Sequence, residues 1–589
     1  MRWLLKSADV AQVQSLASEL RAQPALNLSD PALASTVARL LLQRGIADPR
    51  TAAHYLAPSL SHLHSPYAMY GMKAAVDRLE AAIERKESIL IYGDYDVDGT
   101  TAIVILKTAI ELCGGAADFH LPHRIRDGYG MKDDVIERAA AAGVRLIISV
   151  DTGIRAFAAA ETAERLGVDL IVTDHHLAGE NGVPKALAVL NPNQPGCEYP
   201  CKALCGAGVG FKLAQALMER RLATPDQSRM LTSFIKVVAI ATVADAVPLT
   251  GENRVFARLG LEALRAPVNA GLRALLDVAQ VAIGRPLTSG EVAFRVAPRL
   301  NAAGRMDVAR DVIELFTVRD AARAREIASR LDQLNAERQE QERKIVDAIY
   351  ARVEEETALR DAYCMVIDGE GWHRGVIGIT ATRVVERYGR PALVISREGD
   401  EAHGSGRSIA AFHLLNALES CGGLFTRYGG HAHAVGFALP ASRIPELRTH
   451  LDSYARARLA LADFEASLQV DAEMDLGEVS LALYQALCRM EPFGIGNPEP
   501  VFAARQVRMV APPRVIKDKH VKLKLGMANG SGWRRAITFD ALGWHMGEKL
   551  EQAKLLAGDA LDIVFSVEHN QHPEWGGLEL GLRDFVKRG

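Results

Sequence analysis

Residues 91–101 read Ile91-Tyr92-Gly93-Asp94-Tyr95-Asp96-Val97-Asp98-Gly99-Thr100-Thr101, an apolar run that breaks into a turn carrying three carboxylates at alternate positions. Alternate residues of an extended chain share one face, so Asp94, Asp96 and Asp98 can converge where the turn curls inward. Like charges crowded in this way repel one another unless cations neutralise them. A calcium-binding EF-hand loop also begins D-x-D-x-D-G, but its twelfth position requires Glu, and Ile105 stands there.

Working outward, apolar runs of strand length recur at Ser88–Tyr92, Leu146–Val150 and Leu170–Thr173, alternating with helical patterns. Buried runs of this kind between helices predict a parallel sheet, whose ligands bind beyond the carboxyl ends of the strands. Acidic residues fall at those ends, in Val150-Asp151-Thr152-Gly153 and Thr173-Asp174-His175-His176, and Ala244-Asp245-Ala246 adds another acid downstream. Any one of these is ordinary as a helix cap or turn acid. Four together point to a metal centre. Carboxylates with imidazole suit Mn²⁺ or Mg²⁺ better than Zn²⁺, and a shared aspartate would hold two ions about 3.5–4 Å apart. The predicted reaction class is phosphoester or phosphoanhydride hydrolysis. There is no GxxxxGK[ST] loop to suggest ATP-driven chemistry.

The 589 residues, 49% hydrophobic and 24% charged, predict a globular chain of several domains, because single cores stop growing near about 250–300 residues. A net charge of −3 excludes a global cationic field, so any nucleic-acid surface must be local. The opening Trp3-Leu4-Leu5 is too short for a signal segment, and no stretch reaches the length of a membrane span, so a cytoplasmic protein with no membrane association is expected. Seven cysteines, an odd number, agree with a reducing compartment. Cys197, Cys201 and Cys205 are spaced every four residues but lack a fourth ligand, and Pro200 interrupts them, so they read as buried thiols.

Pro24, Pro31, Pro49 and Pro58 divide residues 1–75 into short helices, a predicted N-terminal cap. The α/β catalytic domain occupies 76–318. Residues 319–361 contain no Gly or Pro, with Ile327, Leu331, Leu334, Ile345 and Ile349 at helical spacing, and predict one long connecting helix or two in tandem. A second α/β domain follows at 362–460. Residues 466–589, with alternation such as Val521-Lys522-Leu523-Lys524-Leu525, predict a barrel of the oligonucleotide-binding (OB) type. Lys517, Lys519, Lys522 and Lys524 would give that barrel a cationic groove for single strands.

The Asp174-His175-His176 triplet, with GDYDVDGTT and VDTG before it and VADAVPL after it, resembles the DHH phosphoesterases. That resemblance implies that Asp94, Asp96 and Asp98 supply ligands, that Asp151 bridges two ions, and that His175 and Asp245 complete the second site. It also makes His176 the polariser or proton donor beside the scissile phosphate. Pro298-Arg299-Leu300-Asn301-Ala302-Ala303-Gly304-Arg305-Met306 is similar to a segment that the exonuclease members of this family carry near their cleft. There Arg299, Asn301 and Arg305 read either as phosphate contacts or as a surface turn. Segments 372–378, 404–408 and 429–437, with Ser405, Arg407 and His431, are similar to the DHH-associated nucleic-acid-binding domain.

The resemblance covers the chain from about residue 75 onward. It implies an exonuclease that degrades single-stranded DNA from the 5′ end to mononucleotides in recombination and repair. A helicase and a single-strand-binding protein would be its partners, and the chain would act as a monomer. Ser405 and Arg407, facing Arg124, would hold a 5′-phosphate. The competing readings are hydrolysis of nanoRNA, cyclic dinucleotides or pyrophosphate, and a non-enzymatic scaffold of the same fold.

Overall fold

The computed structural model describes residues 1–123, 128, 130–306, 309–527, 537–570, 572 and 576–588. The chain forms two compact units, one of residues 64–245 and 260–466, the other of residues 1–63, 246–259 and 467–589.

In the first unit, β1 (Ser88–Tyr92) leads into α1 (Val97–Leu112), followed by β2 (Ala117–His120), β3 (Val144–Val150), β4 (Asp169–Thr173) and β5 (Ala188–Leu190). The sheet order is β2-β1-β3-β4-β5 and every pairing is parallel. Strand order reverses between β1 and β3, and in such sheets ligands bind at that switch point, outside the carboxyl ends. Ile147, Val172 and Leu170 pack on one side with Val135, Ile136, Ala159 and Ala163, residues of the helices Asp133–Ala141 and Phe157–Leu166. On the other side lie α1 and α2 (Gly206–Arg221), both buried nearly all round, with α3 (Thr224–Ala244) packed on each. Small residues allow α1 and α2 to approach closely: a Cβ on Gly210 would meet Ala102 Cβ at 3.6 Å.

Farther along, α4 (Ala297–Met306) precedes α5 (Ala321–Glu355), a single 35-residue helix where one or two were expected. At 1.5 Å per residue it extends about 50 Å. The second α/β domain comprises β6 (Met365–Glu370), α6 (Ile377–Tyr388), β7 (Ala392–Glu398), β8 (Glu401–Arg407), β9 (Arg427–Gly430) and β10 (Ala434–Pro440). Its sheet order is β9-β10-β8-β7-β6, parallel only between β6 and β7.

The other unit contains the barrel: β11 (Phe502–Met509), β12 (Arg514–Ile516), β13 (His520–Met527), β14 (Ile537–Gly543), β15 (Ala560–Asn570) and β16 (Gly577–Lys587). β11 pairs with both β15 and β13, which closes the ring β11-β15-β16-β14-β13. Residues 1–63 are part of this unit rather than a separate layer. Arg2–Leu5 forms a strand parallel to Ser467–Val470, and Leu20, Val37, Leu41 and Leu56 share one core with Phe502, Leu523 and Phe565. Partners so distant in sequence leave no trace in local periodicity.

Arg254 fastens the central segment of this unit. Its guanidinium donates to the carbonyls of Tyr55 (2.8 Å), Met490 (2.9 Å) and Arg489 (2.8 Å) and lies 3.7 Å over the Tyr55 ring. Burial lowers its pKa to about 10. Arg254→Met would take this donor from the carbonyls of Tyr55 and Arg489 at about 1–3 kcal/mol each, while Met490 O keeps the Asn497 amide at 2.8 Å. The denaturant midpoint of this unit should fall by the equivalent of about 3 kcal/mol or more, and an unchanged midpoint would count against this role for Arg254.

Candidate metal centre

The carboxyl ends of β1, β3 and β4 deliver Asp94, Asp151 and the triplet 174–176 to one edge of the sheet. Three groups of ligand atoms, each within 4.8 Å of one another, form there: Asp94 with Asp96 and Asp151, Asp98 with His175 and Asp245, and Asp151 with His175 and His176. Trans ligands on an octahedral ion with 2.1 Å bonds lie about 4.2 Å apart, so each group is of a size to enclose one cation. His175 Nε2 lies 3.3 Å from Asp151 Oδ1 and 3.8 Å from both Asp98 Oδ2 and Asp245 Oδ2.

The backbone accounts for these placements. Asp96 caps α1, its Oδ1 accepting from Gly99 N at 3.1 Å. Asp98, one residue into that helix, accepts from Gly206 N (2.5 Å) and Ala207 N (2.8 Å) at the start of α2. Gly99 and Gly206 are sterically required, since a Cβ on the first would stand 2.6 Å from Asp94 O and one on the second 2.5 Å from Asp151 Oδ1. Asp151 holds φ at +59°, a left-handed conformation that costs a non-glycine residue about 1–2 kcal/mol. Asp245 caps the C-terminus of α3, where the helix dipole disfavours an anion and a bound cation would reverse the sign.

Electrostatics lead to the same conclusion. Burial, then the charges of Asp98, Asp96, Asp94 and Asp245, hold the Asp151 carboxyl well above the ordinary aspartate range. Burial likewise raises Asp245 and Asp98. Asp151 Oδ1 is buried without a hydrogen-bond partner among the described residues. Hard oxygen donors left unsatisfied beside an imidazole match the donor set of Mn²⁺ or Mg²⁺. Burial lowers the His175 pKa, which keeps a lone pair available. Cys205 is no competitor: burial, with the charges of Asp98 and Asp245, keeps its thiol protonated. Cys197, Cys201 and Cys205 are all buried and free, and none joins a candidate metal group among the described residues.

Sequence reasoning misses Asp174 as a functional residue. Fully buried, it accepts from Ile154 N (2.9 Å), His175 N (2.7 Å) and His176 N (3.1 Å), and its Oδ1 lies 2.7 Å from His176 Nδ1. Burial opposes protonation of His176, but the Asp174 hydrogen bond and charge outweigh it and raise the pKa of the ring, which is 45% exposed and so open to substrate. Asn191 and Asn193 donate to the carbonyls of His176 (2.8 Å) and His175 (2.9 Å) and fix the turn. Their signal is present in Asn191-Pro192-Asn193, directly after β5.

The remaining predicted residues are distributed as follows. Asn301 Oδ1 accepts from Val97 N (3.1 Å), and a Cβ on Gly304 would meet Tyr95 O at 2.3 Å, so α4 braces the turn that carries the first three aspartates. Arg299 donates to Asp332 (2.8 Å) and to the carbonyls of Arg295 and Val278. Arg305 donates to Gly375 O (3.0 Å) and ties α4 to the second α/β domain. In that domain Gly404 and Gly406 pack against Phe437, Leu414 and Val435, while Ser405 and Arg407 occupy the opposite face of β8. Arg407 donates to Ser405 Oγ (3.2 Å) and Gly406 O (2.8 Å), and His431 follows β9. Arg124 lies outside the described residues. On the barrel, Lys522 pairs with Asp540 (2.9 Å), and Lys517, Lys519 and Lys524 are exposed.

Fold and centre together define a phosphoesterase of the DHH class. The DHH family N-terminal domain matches residues 88–242, the DHHA1 domain residues 346–457 and the RecJ OB domain residues 470–584. The single-stranded-DNA-specific exonuclease RecJ of Bacillus subtilis (strain 168) is 35% identical over 586 residues, covering 99% of this chain and 70% of that protein. The RecJ of Dickeya dadantii (strain 3937) is 36% identical over 553 residues, covering 90% of this chain and 94% of its own. The crystal structure of RecJ in complex with Mn²⁺ from Thermus thermophilus superposes with a TM-score of 0.81 at 27% identity, covering 100% of this chain and 80% of that one. The chain belongs to the RecJ family of single-stranded-DNA-specific exonucleases.

The raised carboxyls give a pH dependence of known sign. Protonation of Asp98, Asp151 and Asp245 is favoured by folding, so their contribution to stability is full below the ordinary value of 3.8 and is lost as pH rises through the raised folded values. Chelated protein should therefore lose this stability as pH rises through those values. Added Mn²⁺ should raise the melting temperature most where the ligands are ionised, and less as pH falls. Melting curves with and without Mn²⁺ across pH would check this, and a Mn²⁺ effect independent of pH would contradict it.

Proposed function

We propose that this protein is a metal-dependent exodeoxyribonuclease that hydrolyses single-stranded DNA from its 5′ end and releases 5′-mononucleotides. The observation that carries the reading is the position of Asp151, which belongs at once to the group with Asp94 and Asp96 and to the group around His175. Two Mn²⁺ or Mg²⁺ ions held there would supply an activated water and stabilise the oxygen that departs. The chain's own residues position the groups: Asp98 is fixed by the Gly206 amide, and His176, steadied by Asp174, would give a proton to the departing 3′ oxygen.

Each cleavage leaves a new 5′-phosphate on the shortened strand. Ser405 and Arg407 offer a hydroxyl and a guanidinium suited to that group. Gly378 keeps the approach low, since a Cβ there would lie 3.1 Å from Ser405 Oγ and 3.3 Å from an Arg407 amino group. Arg124, outside the described residues, is proposed as a second cation for that phosphate. Arg305 and Asn301 support the cleft through the backbone contacts described above. A nuclease restricted to single strands needs duplex opened for it, so a helicase and a single-strand-binding protein are the partners that fit, with the chain acting as a cytoplasmic monomer in recombination and repair. Among the described residues no helix is long and apolar enough to cross a membrane.

Asp151→Ala should lower Mn²⁺-dependent mononucleotide release by about three orders of magnitude or more, while strand binding in chelator stays near wild type. Turnover close to wild type would refute the shared-ligand assignment. Arg407→Ala should reduce kcat/KM on 5′-phosphorylated strands by about tenfold or more, the scale of one charge-assisted hydrogen bond, and on 5′-hydroxyl strands by much less. Equal losses on both substrates would place the 5′ pocket elsewhere.

A further inference from the structure

We propose that Arg155 holds the second internucleotide phosphate of the bound strand, the one that follows the scissile phosphate on its 3′ side. This rests on the reading of the chain as a 5′ nuclease and gives the retained strand a contact beside the metal centre itself. Arg155 closes the turn Asp151-Thr152-Gly153-Ile154-Arg155 that leaves β3. It is one of three side chains that pin successive carbonyls of the loop after β4: Asn193 donates to His175 O (2.9 Å), Asn191 to His176 O (2.8 Å) and Arg155 Nε to Leu177 O (3.1 Å). In the same turn Ile154 N donates to Asp174 (2.9 Å), which holds the His176 ring. The guanidinium thus stands on the backbone of the residue that follows His176.

Two features separate Arg155 from an ordinary surface arginine. Its Nε bond fixes the plane of the guanidinium, while the side chain is exposed and carries no ion pair among the described residues. The terminal amino groups keep their donors for another acceptor, and a planar fork of this kind matches two oxygens of a phosphate. Beside it, Leu177 is 68% exposed although its loop is fixed at three carbonyls. A leucine held in water forgoes the hydrophobic gain of burial, and the sugar of a strand crossing this loop would cover it.

The two sides of the sheet give the direction. α1 and α3, against which α4 packs, lie on one side, and α4 reaches the second α/β domain through Arg305 and Gly375. The helix Phe157–Leu166, which Arg155 precedes, lies on the opposite side. A strand whose 5′-phosphate is held at Ser405 and Arg407 therefore comes from the side of α4, sets its first internucleotide phosphate at Asp151, and continues across the carboxyl edge of the sheet toward Arg155. The contact falls on the part of the strand that stays bound after cleavage, because the released nucleotide lies on the other side of the metal centre. When the strand advances by one nucleotide, the phosphate at Arg155 moves to Asp151 and the next one takes its place.

The test uses the full chain with Mn²⁺ and a 5′-phosphorylated single strand, and reads single-turnover release of the first nucleotide. Two further strands carry a neutral methylphosphonate, one at the second internucleotide linkage and one at the sixth. The wild type should cut the second-linkage strand about tenfold more slowly than the unmodified one, the scale of one charge-assisted hydrogen bond, and the sixth-linkage strand nearly as fast. Arg155→Ala should cut the unmodified strand about tenfold more slowly than the wild type, yet lose no more than about twofold further on the second-linkage strand, because both changes remove the same contact. Arg155→Gln, which keeps a donor for Leu177 O without the charge, should behave as Arg155→Ala does. A full further loss by Arg155→Ala on the second-linkage strand would mean that the guanidinium only braces the Leu177 loop, and would overturn the proposal. So would wild-type rates for either variant on the unmodified strand, or a wild type indifferent to the second-linkage change. A wild type that releases no nucleotide from any strand is a different result, and it removes the nuclease reading itself.

Discussion

Like-charge crowding around Asp151 is the constraint that organises the first unit. Asp94, Asp96, Asp98 and Asp245 all act on one buried carboxylate, and burial alone already resists its ionisation. Such an arrangement is stable with protons or with cations, and at neutral pH the protons are held only against a gradient. Everything nearby keeps the charges close when relaxation would separate them. The left-handed turn at Asp151, the acid at the C-terminus of α3 and the two glycines that cannot bear a Cβ each lower stability to hold a geometry that is favourable only when ions are bound.

The fold makes this possible because the strand order reverses between β1 and β3. At that point two adjacent strand ends diverge into different helices, leaving a crevice into which Asp94 and Asp151 project from neighbouring backbones. Two helix N-termini then contribute. Asp96 caps α1 and Asp98 reaches across to cap α2, so a single turn of chain satisfies both helices while aiming two carboxylates at the centre. From the far side α4 closes the turn, Asn301 meeting the Val97 amide and Gly304 the Tyr95 carbonyl.

Much of this is legible in the sequence because the informative residues are local. Alternating aspartates after a strand, an acid at the next strand end and a paired histidine at a third are short patterns whose convergence follows once the sheet is parallel. The roles of Asn301 and Asp174 are not legible. The Asn301 side chain contacts a residue 204 positions away, and Asp174 stands in the triplet without any spacing that distinguishes a ligand from a residue that orients one. The packing role of the glycines of β8 is not legible either: Gly404 and Gly406 are small because Phe437 and Leu414 need the room. The residues of interest there alternate with them. The union of the N-terminal residues with the barrel is also hidden, because a four-residue strand pairing across more than 460 positions has no local pattern.

In the proposed function the metal centre and the cationic contacts to the strand have opposite electrostatic requirements. A metal centre of this kind needs concentrated anionic ligands, while a polyanionic substrate needs cations. The carboxylates are buried at a sheet edge of the first unit, Arg407 belongs to that unit as well, and exposed lysines lie on the outer strands of the second. Strand affinity in the proposed function then comes from many weak, salt-dependent contacts that the ions do not make, and the centre itself has only to position one phosphodiester. In the proposed function such contacts, indifferent to sequence and individually weak, can be exchanged one nucleotide at a time.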